Sequence, residues 1–158
     1  MIRVVVSACL LGSPVRHDGR DKYCGHPVLR RWIEEGRVVS VCPEMLGGLA
    51  TPRPPAEITM LDEVRHVLTR GGNDVTREFE AGAEASAAIA SANNARIAIL
   101  KSGSPSCGSS YVYDGTFTRS RTPGEGVTTA LLRERGIAVF SEDEIDEADT
   151  YLASLEAR

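Results

Sequence analysis

Three of the four cysteines stand just beyond short, β-branched apolar runs, and that placement constrains the fold more than any other feature of the chain. Cys9 follows Val4-Val5-Val6-Ser7-Ala8, and Cys42 follows Val38-Val39-Ser40-Val41. Cys107 follows Ile97-Ala98-Ile99-Leu100 after a short loop. Brief apolar runs separated by helix-like segments are the pattern of parallel strands buried on both faces. In an open sheet of that kind, ligands bind outside the carboxyl ends of the strands. The three cysteines, far apart in sequence, are therefore expected on one edge of one sheet. Three ligands with one open position would suit a metal or a cluster there.

The rest of the chain fits this frame. Residues 2–7, 38–41, 96–100 and 137–140 read as four strands. Gly12 to Gly25 is polar and turn-rich, a loop at the presumed functional edge. Pro27 opens a helix whose apolar face is Val28, Leu29, Trp32 and Ile33, and Gly36 ends it. Pro43, Gly47, Gly48, Pro52, Pro54 and Pro55 leave no regular element between 43 and 56, only a stiff wall for a cavity. Glu57–Leu61 and Val64–Leu68, joined at Asp62-Glu63, predict a hairpin. The longest helix is expected from Val75 to about Asn93, with Phe79, Ala83, Ala87 and Ala90 on one face. Thr122-Pro123-Gly124-Glu125 has capping-box spacing and predicts a helix start, as do Ser141 and Glu144 further on. The expected architecture is α/β: a single-domain, Rossmann-like open sheet of about four mainly parallel strands with flanking helices and a small β-hairpin. One domain over 1–158 closes with an acidic helix at 142–158.

Composition narrows the function. At 158 residues the chain can hold a continuous core, and 42% hydrophobic with 25% charged residues is ordinary for a globular protein. A net charge of −4 leaves no basic footprint for duplex nucleic acid, and eight aromatics (three Phe, one Trp, four Tyr) supply few stacking platforms. The apolar start meets Gly12-Ser13-Pro14 and charge at once, without a cleavage pattern, so a first strand in a cytoplasmic protein is expected rather than a signal peptide or a membrane segment. Four dispersed cysteines in a reducing compartment indicate metal binding or catalysis, not a disulfide framework.

Taken singly, each cysteine motif has an ordinary explanation; together they do not. Cys9 alone reads as a small buried hydrophobe. Val41-Cys42-Pro43-Glu44 sets a carboxylate two residues from a thiol. Lys101-Ser102-Gly103-Ser104-Pro105-Ser106-Cys107-Gly108 exposes backbone N–H groups that can cradle an anion or cluster sulfurs. Structural zinc favours four ligands with close C-x-x-C pairs, and no such pair is present. Cys24 lies in a polar loop away from any strand end and reads as incidental. A nucleophilic cysteine, Cys42 with Glu44 and His17 or Cys107 in its serine loop, is the alternative class, though it leaves three cysteines on one edge unexplained. The Lys101-Ser102-Gly103-Ser104 run lacks the spacing of a phosphate-binding loop.

At these residues the chain resembles a family of small bacterial domains whose characterised members include 2-thiouracil desulfidases. The blocks that carry the likeness are Cys9-Leu10-Leu11-Gly12, Val15-Arg16-His17-Asp18-Gly19, Val41-Cys42-Pro43-Glu44 and Gly47-Gly48-Leu49-Ala50-Thr51-Pro52-Arg53. They continue through Leu100 to Gly108, Tyr113-Asp114-Gly115-Thr116-Phe117 and Gly124-Glu125-Gly126-Val127-Thr128. The resemblance implies a 4Fe-4S cluster on Cys9, Cys42 and Cys107, with one open iron for the thiocarbonyl sulfur of a substrate. It implies a non-redox desulfuration of a thiolated pyrimidine that releases sulfide. Glu44 would act as general base toward water. Ser102 or Ser104 would position the substrate or relay a proton, Ser102 being nearer its strand end. Arg16 and Arg53 either hydrogen-bond ring carbonyls or lie on the surface. Cys24, and His17 in place of a more usual Tyr, depart from the family pattern without removing a ligand. A related branch with an additional domain acts on thiolated uracil in RNA; without that domain, the expected partner is a free thiolated nucleobase or nucleoside, with no nucleic acid and no membrane. A cysteine-nucleophile hydrolase or transferase, or a sulfur-trafficking domain, remains the alternative.

Overall fold

The computed structural model describes all residues from Met1 to Arg158. Strand β1 (Arg3–Ser7) runs into a 3₁₀ turn (Ala8–Leu11), and helix α1 (Pro27–Glu34) leads to β2 (Val38–Val41) and the short helix α2 (Pro43–Leu46). The hairpin β3 (Ala56–Leu61) and β4 (Val64–Thr69) precedes the long helix α3 (Thr76–Ala92) and β5 (Ala95–Leu100). A second hairpin, β6 (Tyr111–Tyr113) and β7 (Arg121–Pro123), is followed by α4 (Val127–Glu134), β8 (Ala138–Ser141) and α5 (Ile145–Glu156). The main sheet has the order β2-β1-β5-β8 and every pairing in it is parallel. No helix is long and apolar enough to cross a membrane.

Side-chain alternation builds the two layers. Val4 and Val6 of β1, with Ile97 and Ile99 of β5, pack against Leu29 and Trp32 of α1 and Ile145, Ala148 and Leu152 of α5. Val5, Ala98 and Leu100 point the other way, onto Ala87 and Ala90 of α3 and Leu132 of α4. Helices on both faces explain why the strands read as unbroken apolar runs. The chain steps from β1 to β2 on one side, and β5 then pairs on the other side of β1. The crevice above β1 and β5 is thus the switch point where such sheets bind ligands.

Two expectations need correction. The stretch after Cys42 is not wholly irregular: Pro43 takes the first position of α2, where its missing N–H costs nothing. The Thr122–Glu125 capping box does not form, since Thr122 and Pro123 belong to β7 and the helix starts at Val127 behind Gly126. Tertiary packing decides this: a Cβ on Gly126 would lie 2.7 Å from the Cys107 nitrogen, so the cap is a glycine pressed on the cysteine loop. At Ser141 the predicted box forms in part, with Glu144 Oε1 accepting from the Ser141 N–H at 2.9 Å. The Asp62-Glu63 hairpin turn has φ values of 51° and 65°, the left-handed pair expected of a two-residue loop.

One close crossing fixes α2. A Cβ on Gly82 of α3 would stand 1.9 Å from the Pro43 carbonyl oxygen, and one on Gly47 would stand 1.8 Å from the Glu78 carbonyl oxygen. In an ordinary helix interior, Gly→Ala stabilises by about 1 kcal/mol. Here the sign should reverse: Gly82→Ala should cost about 1–3 kcal/mol through overpacking, read as a lower urea midpoint at unchanged slope. An unchanged or higher midpoint would show that α2 can lift from α3 freely.

Candidate active site at the strand ends

The carboxyl ends of β1, β2 and β5 open onto one cavity of about 460 Å³, and Cys9, Cys42 and Cys107 all line it. Each thiol arrives differently. Cys9 sits in the 3₁₀ turn continuing β1, closed by Gly12 at φ 96°. Cys42 is the residue capping α2, and its thiol points to the Val15 carbonyl oxygen at 3.9 Å. Cys107 is set by the serine loop: its N–H donates to Ser104 Oγ at 3.1 Å, and its carbonyl accepts from Thr129 Oγ1 at 2.9 Å. Its sulfur accepts from Ser7 Oγ at 3.6 Å. All four cysteines are free, and Cys24 does not line the cavity; it packs beside the core under α1 and α5.

The thiols are close enough to sense one another. Burial pushes the Cys9 thiol up to about 11, with Arg16 and Lys101 opposing and Cys42 adding to the rise. Burial likewise pushes Cys107 up to about 12; the Ser7 hydroxyl, donating to its sulfur, opposes the rise, and Glu44 and Cys9 reinforce it. Three thiolates gathered here need a compensating polycation. No three His, Cys, Asp or Glu side chains are gathered to hold a single ion. A cluster spreads its thiolates over different irons, so it accepts ligands further apart than one ion does. Three free cysteine donors lining one cavity are a donor set of the kind such a group takes.

Glu44, the second residue of α2, reaches into the cavity with both carboxylate oxygens engaged. Oε1 accepts from Arg53 Nε at 3.0 Å and Oε2 from Ser106 Oγ at 2.9 Å. Arg53 is neither a surface residue nor a free ligand for a ring carbonyl. Its side chain is 6% exposed, and its other nitrogens donate to the Val15 and Ala50 carbonyls and to Thr51 Oγ1. The serine loop can be assigned proton by proton. Ser104 Oγ accepts from the N–H groups of Ser106 and Cys107, both at 3.1 Å, which occupies its lone pairs. Its own proton therefore goes to Ser106 Oγ at 2.9 Å, and the Ser106 proton goes to the nearer, charged Glu44 rather than to the Cys107 sulfur at 3.4 Å. Sequence reasoning passed over Ser106 as a candidate; the signal available was its place directly before Cys107.

Ser102 takes a separate position. Its hydroxyl donates to Glu142 Oε2 at 3.0 Å and accepts from Lys101 Nζ at 2.9 Å, leaving one lone pair. Glu142 follows β8; despite burial, which acts against it, the Lys101 ammonium and the Ser102 N–H hold its carboxyl below the usual value. His17 and Arg16 line the cavity. The other histidines are elsewhere: His26 caps α1, and His66 pairs with Asp74 at 2.8 Å. Seven Arg and Lys side chains line the cavity against Glu44 and Glu57, so a chain of net charge −4 holds a positive chamber.

Comparison with known proteins points the same way. The profile of a family described as 2-thiouracil desulfurase matches residues 4–144. A protein named YbbK from Bacillus subtilis (strain 168), described as uncharacterized, is 40% identical over 150 residues, covering 91% of this chain and 98% of its own. A solved structure, described as the [4Fe-4S]-dependent thiouracil desulfidase TudS, is 50% identical with a TM-score of 0.91, covering 97% of this chain and 99% of its own.

The raised thiols make a prediction for metal-free protein. In the folded chain Cys9 and Cys107 stay neutral, whereas in the unfolded chain they ionise near their ordinary value of 9.0. Above that pH the unfolded state alone loses protons, so stability is full below about 9 and falls as pH rises toward 11–12. Urea midpoints of metal-free protein should drop across that window, and Cys107→Ser should flatten the decline. A flat profile in the unmodified chain would contradict the burial of both thiols.

Proposed function

The chain belongs to the 2-thiouracil desulfurase family, and on that premise we propose that it exchanges the thiocarbonyl sulfur of a 2-thiouracil-like pyrimidine for oxygen from water, on a 4Fe-4S cluster held by Cys9, Cys42 and Cys107. The observation that carries the reading is the meeting, in one cavity, of three free thiols from three strand ends with an ion-paired glutamate. The cluster, when bound, supplies an iron with an open position that acts as Lewis acid toward the thiocarbonyl sulfur. Glu44 takes the proton of the attacking water. Its two oxygens are fixed by Arg53 and Ser106, which aim the carboxylate while leaving lone pairs for that water. Ser104 serves by orienting Ser106, whose proton is thereby directed at Glu44. Ser102, with one lone pair left, can accept a ring N–H of the base.

Atoms balance without an oxidant or reductant. Water adds to the ring carbon, the C–S bond breaks, and sulfur leaves as sulfide with the protons that water supplied. The positive chamber favours the negative charge that builds on sulfur as the bond breaks. The substrate that fits is a free thiolated nucleobase or nucleoside. A thiol-enzyme mechanism at Cys107 needs a lowered pKa, and burial displaces that thiol the opposite way. At Cys42 it needs Glu44 as partner, and both Glu44 oxygens are engaged by Arg53 and Ser106.

Anaerobically reconstituted protein should carry about four irons and four acid-labile sulfides per chain. Serine at Cys9, Cys42 or Cys107 should lose them, and Cys24→Ser should keep them. Glu44→Gln should retain the iron and lose desulfuration of 2-thiouracil by about a hundredfold or more, the scale of a missing general base. Ser106→Ala should retain iron with a smaller loss of kcat. Tightly held zinc, or an active Glu44→Gln protein, would overturn the assignment.

A further inference from the structure

The loop between β6 and β7 carries backbone strain that the chemistry above does not use. Five non-glycine residues have positive φ. Asp62 and Glu63 form the tight hairpin turn, and Asn94 follows the end of α3, where such angles are ordinary. Phe117 at 58° and Arg119 at 62° remain, and both line the cavity. A bulky aromatic residue in the left-handed region is an outlier, and such strain persists only where the surroundings over-determine it.

The surroundings do so here. One oxygen of Glu57, Oε1, accepts from the N–H groups of Gly115 at 3.0 Å and Phe117 at 3.1 Å. Gly115, at φ 93°, lies so close to β3 that a Cβ would stand 2.3 Å from Thr59 Oγ1. Asp114 Oδ1 takes the Thr116 N–H and hydroxyl at 3.0 and 2.6 Å, and Thr118 pairs with both Thr116 and Ser120. A loop of this length held at so many points presents one side chain on purpose. The Phe117 ring is half-buried; the Arg70 guanidinium lies over one of its faces, 5.5 Å from the centroid, so a stacking ligand takes the opposite face. Tyr111, the other aromatic candidate, is hemmed in by Arg121 at 4.2 Å and by the edge of Tyr113.

We propose that Phe117 is the face on which the planar ring of the substrate stacks, and that Glu57 is the positioning residue that holds it in place. The proposal rests on the desulfidase reading for the identity of the ring; the stacking itself needs only a flat π system in the cavity that the thiols line. An aromatic face attracts any planar base without reading its edges. Selection among thiolated pyrimidines then falls to hydrogen bonds, and selection of planarity to Phe117.

The test compares uracil with 5,6-dihydrouracil, which offers similar polar edges on a puckered ring. Binding of each to the cluster-loaded enzyme would be followed by calorimetry, beside 2-thiouracil turnover. Wild type should favour uracil by about tenfold, the scale of one base stacked on an aromatic side chain. Phe117→Leu should erase that preference and raise KM about tenfold with kcat within about twofold, whereas Phe117→Trp should keep both. Glu57→Ala should behave as Phe117→Leu does, and Glu57→Gln, which retains the acceptor oxygen, should rescue. A Phe117→Leu enzyme with unchanged KM and preference would overturn the stacking and leave the desulfidase reading standing. Loaded wild-type enzyme that binds uracil but does not turn over 2-thiouracil, with that binding lost in Phe117→Leu, would overturn the desulfidase reading and keep the stacking.

Discussion

The structure depends on the directionality of a parallel sheet. Strands that run the same way must end on the same edge, so the segments leaving β1, β2 and β5 start from one place: Cys9 and Cys42 stand two and one residues past their strands, and Cys107, seven past β5, is held there by the serine loop. This is why three cysteines separated by thirty to sixty-five residues can share a cavity without any contact between neighbours in sequence. The rigidity behind that delivery comes from burial on both faces. Val4, Val5 and Val6 are fully enclosed, and the two hydrophobic layers grip the same strands from opposite sides. A cofactor with several bonds to the chain needs such a frame, because ligands on mobile loops would cost entropy at every bond.

The second level of organisation is the ion pair of Glu44 and Arg53, whose side chains are 16% and 6% exposed. A largely buried pair of this kind is seldom a net source of stability, since desolvation offsets most of the attraction. Its use is geometric. Arg53 spends every nitrogen on acceptors of the wall, the Val15 and Ala50 carbonyls among them, so the carboxylate is braced by a fixed scaffold. Ser106 braces the other oxygen from the loop that carries Cys107. Glu44 and Cys107 are thereby tied through adjacent residues of one segment.

The strands and most helices were legible because each is encoded locally: β-branched runs, Pro27 at a helix start, and alanines at helical spacing in α3. The cysteine edge was legible because strand ends are. Arg53 was not, since its partner is decided by how the proline-rich stretch folds back, which no periodicity records. Ser106 was hidden among three serines that differ only in which way each hydroxyl faces. The capping box at Thr122–Glu125 misled because a local motif competed with the packing of Gly126 against Cys107, and packing won. Phe117 was visible as part of a motif, but its left-handed backbone is a property of the clamped loop and not of the residue.

The crossing of α2 and α3 is made by main chain against main chain, at Gly47 and Gly82. A contact of that sort is indifferent to what the surrounding side chains become. Helices that meet through bulky residues shift when those residues change volume, and any group they carry shifts with them. Here the carboxylate rides on a helix whose distance from its neighbour is set by two absent side chains. Sequence drift around the site can therefore be extensive before the Glu44 carboxylate is moved, so long as both positions remain glycine. The seat of α2 is in this sense insulated from changes in the side chains around it.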